Sequence, residues 1–448
     1  MSGILINNAT IVNEGISFKG NLLIKDEKIA AIGNIDEKEL PDNYDVIDAT
    51  GLFLLPGVID DHVHFREPGL TEKGDIFTES RAAAAGGVSS FMDMPNTVPQ
   101  TVTIAALEEK YKIAAEKSLI NYSFSIGATN DNLDEILKAD PSKVCGIKLF
   151  MGSSTGNMLI DSDKSLHNLF KNAHIIILAH CEDEATIKKN TELFRQKYGN
   201  DIPFEMHPTI RNNEACVKSS SFAVRLAKEY NTKLHIFHLS TAEETELFSN
   251  AIPLKDKRIT SEVCAHHLWF DNSYYQKLGS RIKLNPAIKT EVDKEALRNA
   301  VNNNKIDIIA TDHAPHTIKE KTGSYLQTPS GSPMVQHSLL LMMELWHKKV
   351  FTIEKIVEKM CHNPAILFNI KERGFIRNGY QADIVFVNPN DKWTVSKDNI
   401  LYKCGWSPIE ETEVQSKVVT TIVNGVVVYN NGLINNGYRG QRLEFERC

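Results

Sequence analysis

The sequence predicts an α/β protein: a (β/α)8 TIM-like barrel carrying a small β-sandwich assembled from both ends of the chain. Short alternating strands fill the first fifty residues and similar strands return near the C-terminus. The long stretch between them alternates compact apolar runs with helical periodicity, the layout of parallel βα units. The apolar runs number eight, as a closed barrel requires.

Taken in order, residues 4–7, 21–25, 28–32 and 45–48 read as strands separated by Gly and Asn-Glu turns, with no room for a useful helix. From Gly57 the pattern changes, and the candidate barrel strands are 58–63, 88–94, 121–126, 144–150, 175–180, 233–239, 259–265 and 307–311. After a helical stretch ending near Phe368, strands return at 382–387, 418–423 and 426–429, the last two split by the hairpin dipeptide Asn424-Gly425. Neither end is long enough to bury a good core alone. Residues 1–54 and 371–448 are therefore expected to pair as one sandwich beside a barrel spanning 55–370.

With 448 residues, 42% of them hydrophobic, the chain has the size of an elaborate enzyme. Its formal charge of -7 is spread without long runs of one sign, which leaves no basic footprint for nucleic acid. Seven cysteines at irregular positions give neither a paired disulfide framework nor a C-x-x-C knuckle, and suit a reducing cytosol. No window approaches about eighteen uninterrupted apolar residues and no basic, then apolar, leader opens the chain. A cytoplasmic enzyme with a small-molecule substrate and no membrane partner is expected; the sequence is compatible with a homo-oligomer and does not fix its order.

The chemistry is concentrated at the ends of the predicted barrel strands. His62 and His64 are spaced i, i+2, so on a strand both imidazoles project to one face and can reach one metal. Lys148, His180, His238 and Asp312 stand at or near the C-terminal ends of four further strands, where barrel enzymes place catalytic groups. Any one alone reads as a core histidine or a helix cap. Together they point to a two-metal site. An ammonium beside a divalent cation is repelled, so Lys148 fits only if it loses its proton and adds carbon dioxide, becoming an anionic carbamate able to bridge two metals. The competing reading is an ion-paired or snorkelling lysine.

The string Gly57-Val-Ile-Asp-Asp-His-Val-His-Phe-Arg-Glu-Pro-Gly69, with Met94-Pro-Asn-Thr97, Gly146-Ile-Lys-Leu-Phe150 and Ala310-Thr-Asp-His-Ala-Pro-His316, resembles the dihydroorotase family of cyclic amidohydrolases. Leu234-His-Ile-Phe-His-Leu-Ser-Thr241, Lys283-Leu-Asn-Pro286 and Asn363-Pro-Ala365 extend the resemblance over nearly the whole chain. It implies that His62, His64, Lys148 and Asp312 hold one Zn2+, and that carboxylated Lys148, His180 and His238 hold a second. It also implies the reaction: reversible hydrolysis of dihydroorotate to carbamoyl-aspartate in pyrimidine biosynthesis, with Asp312 moving the proton. In the family the residues matching Arg66, Asn96 and His316 grip the substrate carboxylate, and Asn285 is a further contact. His64 also faces the substrate. Allantoinases and dihydropyrimidinases or hydantoinases, the nearer rivals, usually lack this arginine and the Met-Pro-Asn-Thr string. A non-catalytic scaffold of the same fold is the distant rival, opposed by the filled ligand positions.

Each substrate residue has a plainer reading: Arg66 paired with Glu67, Asn96 serving a turn before Pro99, and His316 capping the next helix. The stretch around Ser330-Gly331 departs from the family's Ala-Pro-Phe-Gly string, which leaves that substrate contact open. Ser154 and Thr155, in Gly152-Ser-Ser-Thr-Gly156, are candidates for a lid over the substrate, with a plain connecting loop as the alternative. His266 and His267 are assigned at most to supporting the ligands from behind. His207 and Arg211 are either structural or lie in the pocket wall, and Cys181 points away from the ligand face.

Overall fold

The computed structural model describes residues 2–36, 38, 40–152, 158–160 and 162–447. At the N-terminus β1 (Ser2–Asn13) and β2 (Ile16–Lys25) form a hairpin. Its two-residue turn, Glu14-Gly15, has φ of 50° and 79°. Positive φ at both turn residues matches the right-handed twist of the flanking strands. β3 (Lys28–Gly33) extends the hairpin, while β4 (Asn43–Asp48) and β5 (Phe53–Pro56) run parallel to successive halves of β1. β5 crosses residue 54 and pairs wholly within this sheet.

The barrel strands follow: β6 (Val58–Val63), β7 (Val88–Asp93), β8 (Asn121–Phe124), β9 (Ile126–Gly127), β10 (Ile147–Phe150), β11 (Ile177–His180), β12 (Leu234–Ile236), β13 (Ile259–Cys264) and β14 (Ile308–Ala310). All pairings among them are parallel. β8 and β9 are one strand interrupted at Ser125, so the elements fill eight staves. The ring closes where Val63 bridges His313, and His64 N donates to His313 O at 2.7 Å. Both faces of these strands are buried, which is why they read as continuous apolar runs rather than as alternations.

β15 (Ile384–Asn388) then pairs antiparallel with β5, joining the two ends of the chain across more than 320 residues. β16 (Trp393–Thr394) and β17 (Glu413–Val414) make a small separate pair. β18 (Lys417–Val423), β19 (Val426–Asn430) and β20 (Leu433–Ile434) complete a nine-stranded sheet, with Asn424-Gly425 in the hairpin turn. Its core mixes Ile6, Ile11, Leu22 and Leu54 with Ile384, Phe386 and Ile422, so neither end closes it alone. The last residues leave this sheet: Leu443 and Phe445 pack against Ile59, Cys145 and Phe368, and Arg447 caps the carbonyls of Val144, Cys145 and Phe368 at the floor of the barrel. Among the described residues no helix is long and apolar enough to cross a membrane.

Candidate active site

A cavity of about 550 Å³ opens at the C-terminal mouth of the barrel. Its wall contains His62, His64, Arg66, Asn96, Lys148, His180, His238, Asn285, Asp312, Ser330 and Gly331. His316 stands directly behind that wall, with Nε2 3.1 Å from both Arg66 Nη2 and Ser330 O. Ser154 and Thr155 lie outside the described residues. The mouth strains its own backbone: Arg66, His238 and Asp312 have φ of 68°, 39° and 46°. Such left-handed conformations cost side-chain-bearing residues on the order of 1–3 kcal/mol each and persist where the surroundings over-determine them.

Two groupings of ligand atoms face each other. On one side His62 Nε2 and His64 Nε2 lie 3.4 and 3.1 Å from Asp312 Oδ1. On the other, His180 Nδ1 lies 3.0 Å from His238 Nε2. The rings of His62 and His238 are 5.3 Å apart between centroids. Lys148 Nζ is fully buried and, among the described residues, without a hydrogen-bond partner, 4.0 Å from the Phe237 ring centre and 4.7 Å from that of Phe150.

Burial sets the protonation of this cluster. Desolvation holds Lys148 down to about 7, against 10.5 for a free lysine, so a neutral amine is accessible near neutral pH. Burial presses all four imidazoles below their usual range, His62 and His238 furthest because neighbouring positive groups add to it, while the Asp312 and Glu182 carboxylates partly oppose it at His64 and His180. Neutral imidazole is the form that ligates a metal. His180 Nε2 stands at ion-pair distance, 3.1 Å, from Glu182 Oε2, whereas two nitrogens turned away from the cavity are fixed by acceptors: His62 Nδ1 on Glu262 Oε1 at 2.7 Å and His64 Nδ1 on Asn96 Oδ1 at 2.7 Å. These contacts choose each tautomer and aim the remaining lone pair inward.

Arg66 does not pair with Glu67. Glu67 is taken by Lys117 and by the Ile76 backbone, while Arg66 Nε donates to Pro315 O at 3.0 Å. Among the described residues the buried Arg66 guanidinium has no carboxylate partner, although it lines the cavity. Asn285 Oδ1 is likewise buried without a partner.

Residues 53–428 match the profile of the Amidohydrolase family. The chain belongs to that family. A dihydroorotase from Methanosphaera stadtmanae is 31% identical over 432 residues, covering 96% of each chain. An allantoinase from Escherichia coli is 29% identical over 444 residues, covering 95% of each. The L-hydantoinase (dihydropyrimidinase) of Arthrobacter aurescens superposes with a TM-score of 0.92 at 25% identity, over 98% of this chain and 99% of that one.

Amidohydrolases are generally metal-dependent, and the donor set here fits a metal. Neighbouring ligands on a tetrahedral zinc with bonds of ~2.0–2.2 Å sit roughly 3.3 Å apart, close to the spacings within both groupings. His62, His64 and Asp312 form one of four buried groups of potential ligands among the described residues. The other three, Cys264-His266-His267, His62-Glu262-Cys264 and Asp61-His235-Glu262, contribute no cavity-lining residue except His62.

Sequence reasoning passed over Glu182, Glu262 and Lys283. Glu262 carried a usable signal, because a carboxylate in the middle of a strand buried on both faces must meet a polar partner inside the barrel. Glu182 lay two residues past a ligand, with its partner Arg211 far along the chain. Of the residues with two open readings, His207 is buried between the Tyr325 hydroxyl and Leu284 O and also lines the cavity, while Arg211 lines it and pairs with Glu182. His267 Nε2 donates to Pro286 O at 3.2 Å, behind the cavity wall.

Proposed function

We propose that this chain is a dihydroorotase, catalysing the reversible hydrolysis of dihydroorotate to carbamoyl-aspartate. The observation that carries this reading is Arg66, a buried guanidinium facing the cavity without a carboxylate partner among the described residues. Dihydroorotate bears a ring carboxylate that meets such a group through two parallel charge-assisted hydrogen bonds. Allantoin, hydantoins and dihydrouracil bear none and would leave a desolvated cation unpaired, a costly arrangement. Arg211, which also lines the cavity, is already neutralised by Glu182. Similarity alone separates the candidates poorly, since the relatives named dihydroorotase and allantoinase differ by two points of identity.

In this reading His62, His64, Lys148 and Asp312 would hold one zinc ion, and Lys148, as a carbamate, with His180 and His238 would hold a second. The amine nitrogen bonds to the carbon of carbon dioxide and releases one proton to solvent, which the depressed proton affinity of Lys148 favours. When bound, the cations supply Lewis acidity, polarising a carbonyl and bringing the pKa of water from about 15.7 toward about 7. Arg66 holds the substrate carboxylate, with His316 and Asn96 bracing it, and Asn285 Oδ1 accepts a ring N–H. Asp312 takes the proton of the attacking water and returns it to the departing ring nitrogen. In the synthetic direction Asp312 begins protonated.

Turnover of dihydroorotate, allantoin and dihydrouracil by the zinc-loaded protein tests this directly. Dihydroorotate should be preferred by at least about a hundredfold in kcat/KM, and Arg66→Met should remove most of that preference by raising KM. Preferential turnover of a neutral ring by the unmodified protein would replace the assignment with an allantoinase or dihydropyrimidinase.

A further inference from the structure

The segment 325–331 forms one wall of the cavity and contains Ser330 and Gly331. It has no strand or helix to hold it. Two buried lysines grip it, Lys283 from within the cavity lining and Lys321 from behind it. Lys283 Nζ donates to Tyr325 O at 2.6 Å and to Thr328 O at 2.5 Å; Lys321 Nζ donates to Pro329 O and Gly331 O, both at 2.9 Å. Four of the segment's seven carbonyls are thereby tied to two ammonium groups. Among the described residues neither lysine has a carboxylate in ion-pair contact, so each depends on these carbonyls for its solvation.

The rest of the packing around the segment is equally specific. Gly331 N returns a hydrogen bond to Lys283 O at 2.9 Å, and the Tyr325 hydroxyl meets His207 Nδ1 at 2.7 Å. Gly331 adopts φ of 133°, and a Cβ there would come within 2.6 Å of Ala314 O and 3.1 Å of His316 Cδ2, two residues beyond the Asp312 strand end and beside Arg66. The wall is therefore pressed against the group that orients Arg66. Desolvation, reinforced by nearby positive charge, holds Lys283 down to about 8 and Lys321 well below the usual lysine range, as expected for cations without anionic partners.

We infer that Lys283 and Lys321 act as a paired clamp on the backbone of residues 325–331, positioning that wall for the substrate and so setting substrate affinity. They are positioning residues. A ligand entering an unclamped cavity would have to order the segment itself, and that entropic cost would appear in binding rather than in the chemical step. This inference rests on the cavity being the substrate site, but not on which cyclic amide fills it.

The test combines Lys283→Met and Lys321→Met with hydrogen exchange and steady-state kinetics on zinc-loaded protein. Each variant should raise KM for the preferred substrate by about tenfold or more with kcat nearly unchanged, the signature of lost uniform binding. Peptides covering 325–331 should exchange at least about tenfold faster while those from the barrel strands keep their rates, and zinc content should be retained. An unchanged KM, or acceleration spread evenly over the chain, overturns the clamp in favour of a general stabilising role. If the variants do not fold, exchange in the unmodified protein decides: protection of 325–331 comparable to the barrel strands supports the clamp, and exchange as fast as a free loop overturns it. The exchange measurements need no turnover, so failure of dihydroorotate as substrate is read separately.

Discussion

The nine-stranded terminal sheet and the barrel mouth both contain left-handed backbone and use it in opposite ways. In the sheet, positive φ falls in turns such as Glu14-Gly15 and Asn424-Gly425 and at Asn8, where the register of β1 shifts, while the inward side chains are apolar. In the mouth, positive φ falls on Arg66, His238 and Asp312, and buried polar atoms such as Lys148 Nζ and Asn285 Oδ1 lack partners among the described residues. One region has settled its local preferences. The other holds strain and unsatisfied groups together because a ring of eight strands and its packed helices fix their positions, as expected where a protein must bind a further component.

The largest expected effect separates the two regions at once. Asp312→Ala should leave the thermal unfolding transition nearly intact yet lower turnover by on the order of 10⁴-fold, the upper range for removing a general acid–base group. Retained turnover would show that the mouth does not work as described. The reverse experiment is Phe386→Ala, which removes a ring only 1% exposed from the sheet core. A loss of about 3–5 kcal/mol in urea unfolding is expected, with kcat of the folded fraction unchanged. Were turnover to fall in step with stability, the division between a stabilising sheet and a functional mouth would fail.

The smallest effect concerns the support of His180. Burial pushes the Glu182 carboxyl upward, but the Arg211 guanidinium and His180 outweigh it and hold it down to about 2, against 4.5 unperturbed. A carboxyl depressed on folding contributes stability that is fully present above the unfolded value and is lost as pH falls toward the folded one. The stability advantage of the parent over Glu182→Gln should therefore be constant from about pH 7 to 5 and shrink between about pH 4.5 and 2. Urea midpoints across that range measure it, and an advantage that persists undiminished to the lowest pH would show that Glu182 stabilises by packing rather than by charge.

Much of this was legible in the residue order. A strand's period of two put His62 and His64 on one face, and the apolar runs located the ends where Lys148, His180, His238 and Asp312 appear. Asn424-Gly425 announced its hairpin because few other pairs adopt positive φ twice in succession. The departure around Ser330-Gly331 was visible, but its meaning was not, since Lys283 reaches that segment from over 40 residues away. The passage of the C-terminal tail onto the barrel floor had no local signal either, because Leu443 and Phe445 read the same wherever they pack.

By itself, then, the sequence determined which side chains stand at strand ends and hence the kind of chemistry available, because periodicity and turn propensity are short-range properties. Only the tertiary structure decided how those groups are tuned. Glu262 meets His62 across 200 residues, Arg66 turns to Pro315 O while Glu67 takes Lys117, and Lys148 is buried against aromatic rings. Desolvation and partner choice depend on what converges from all sides of the barrel, and no window of sequence contains that.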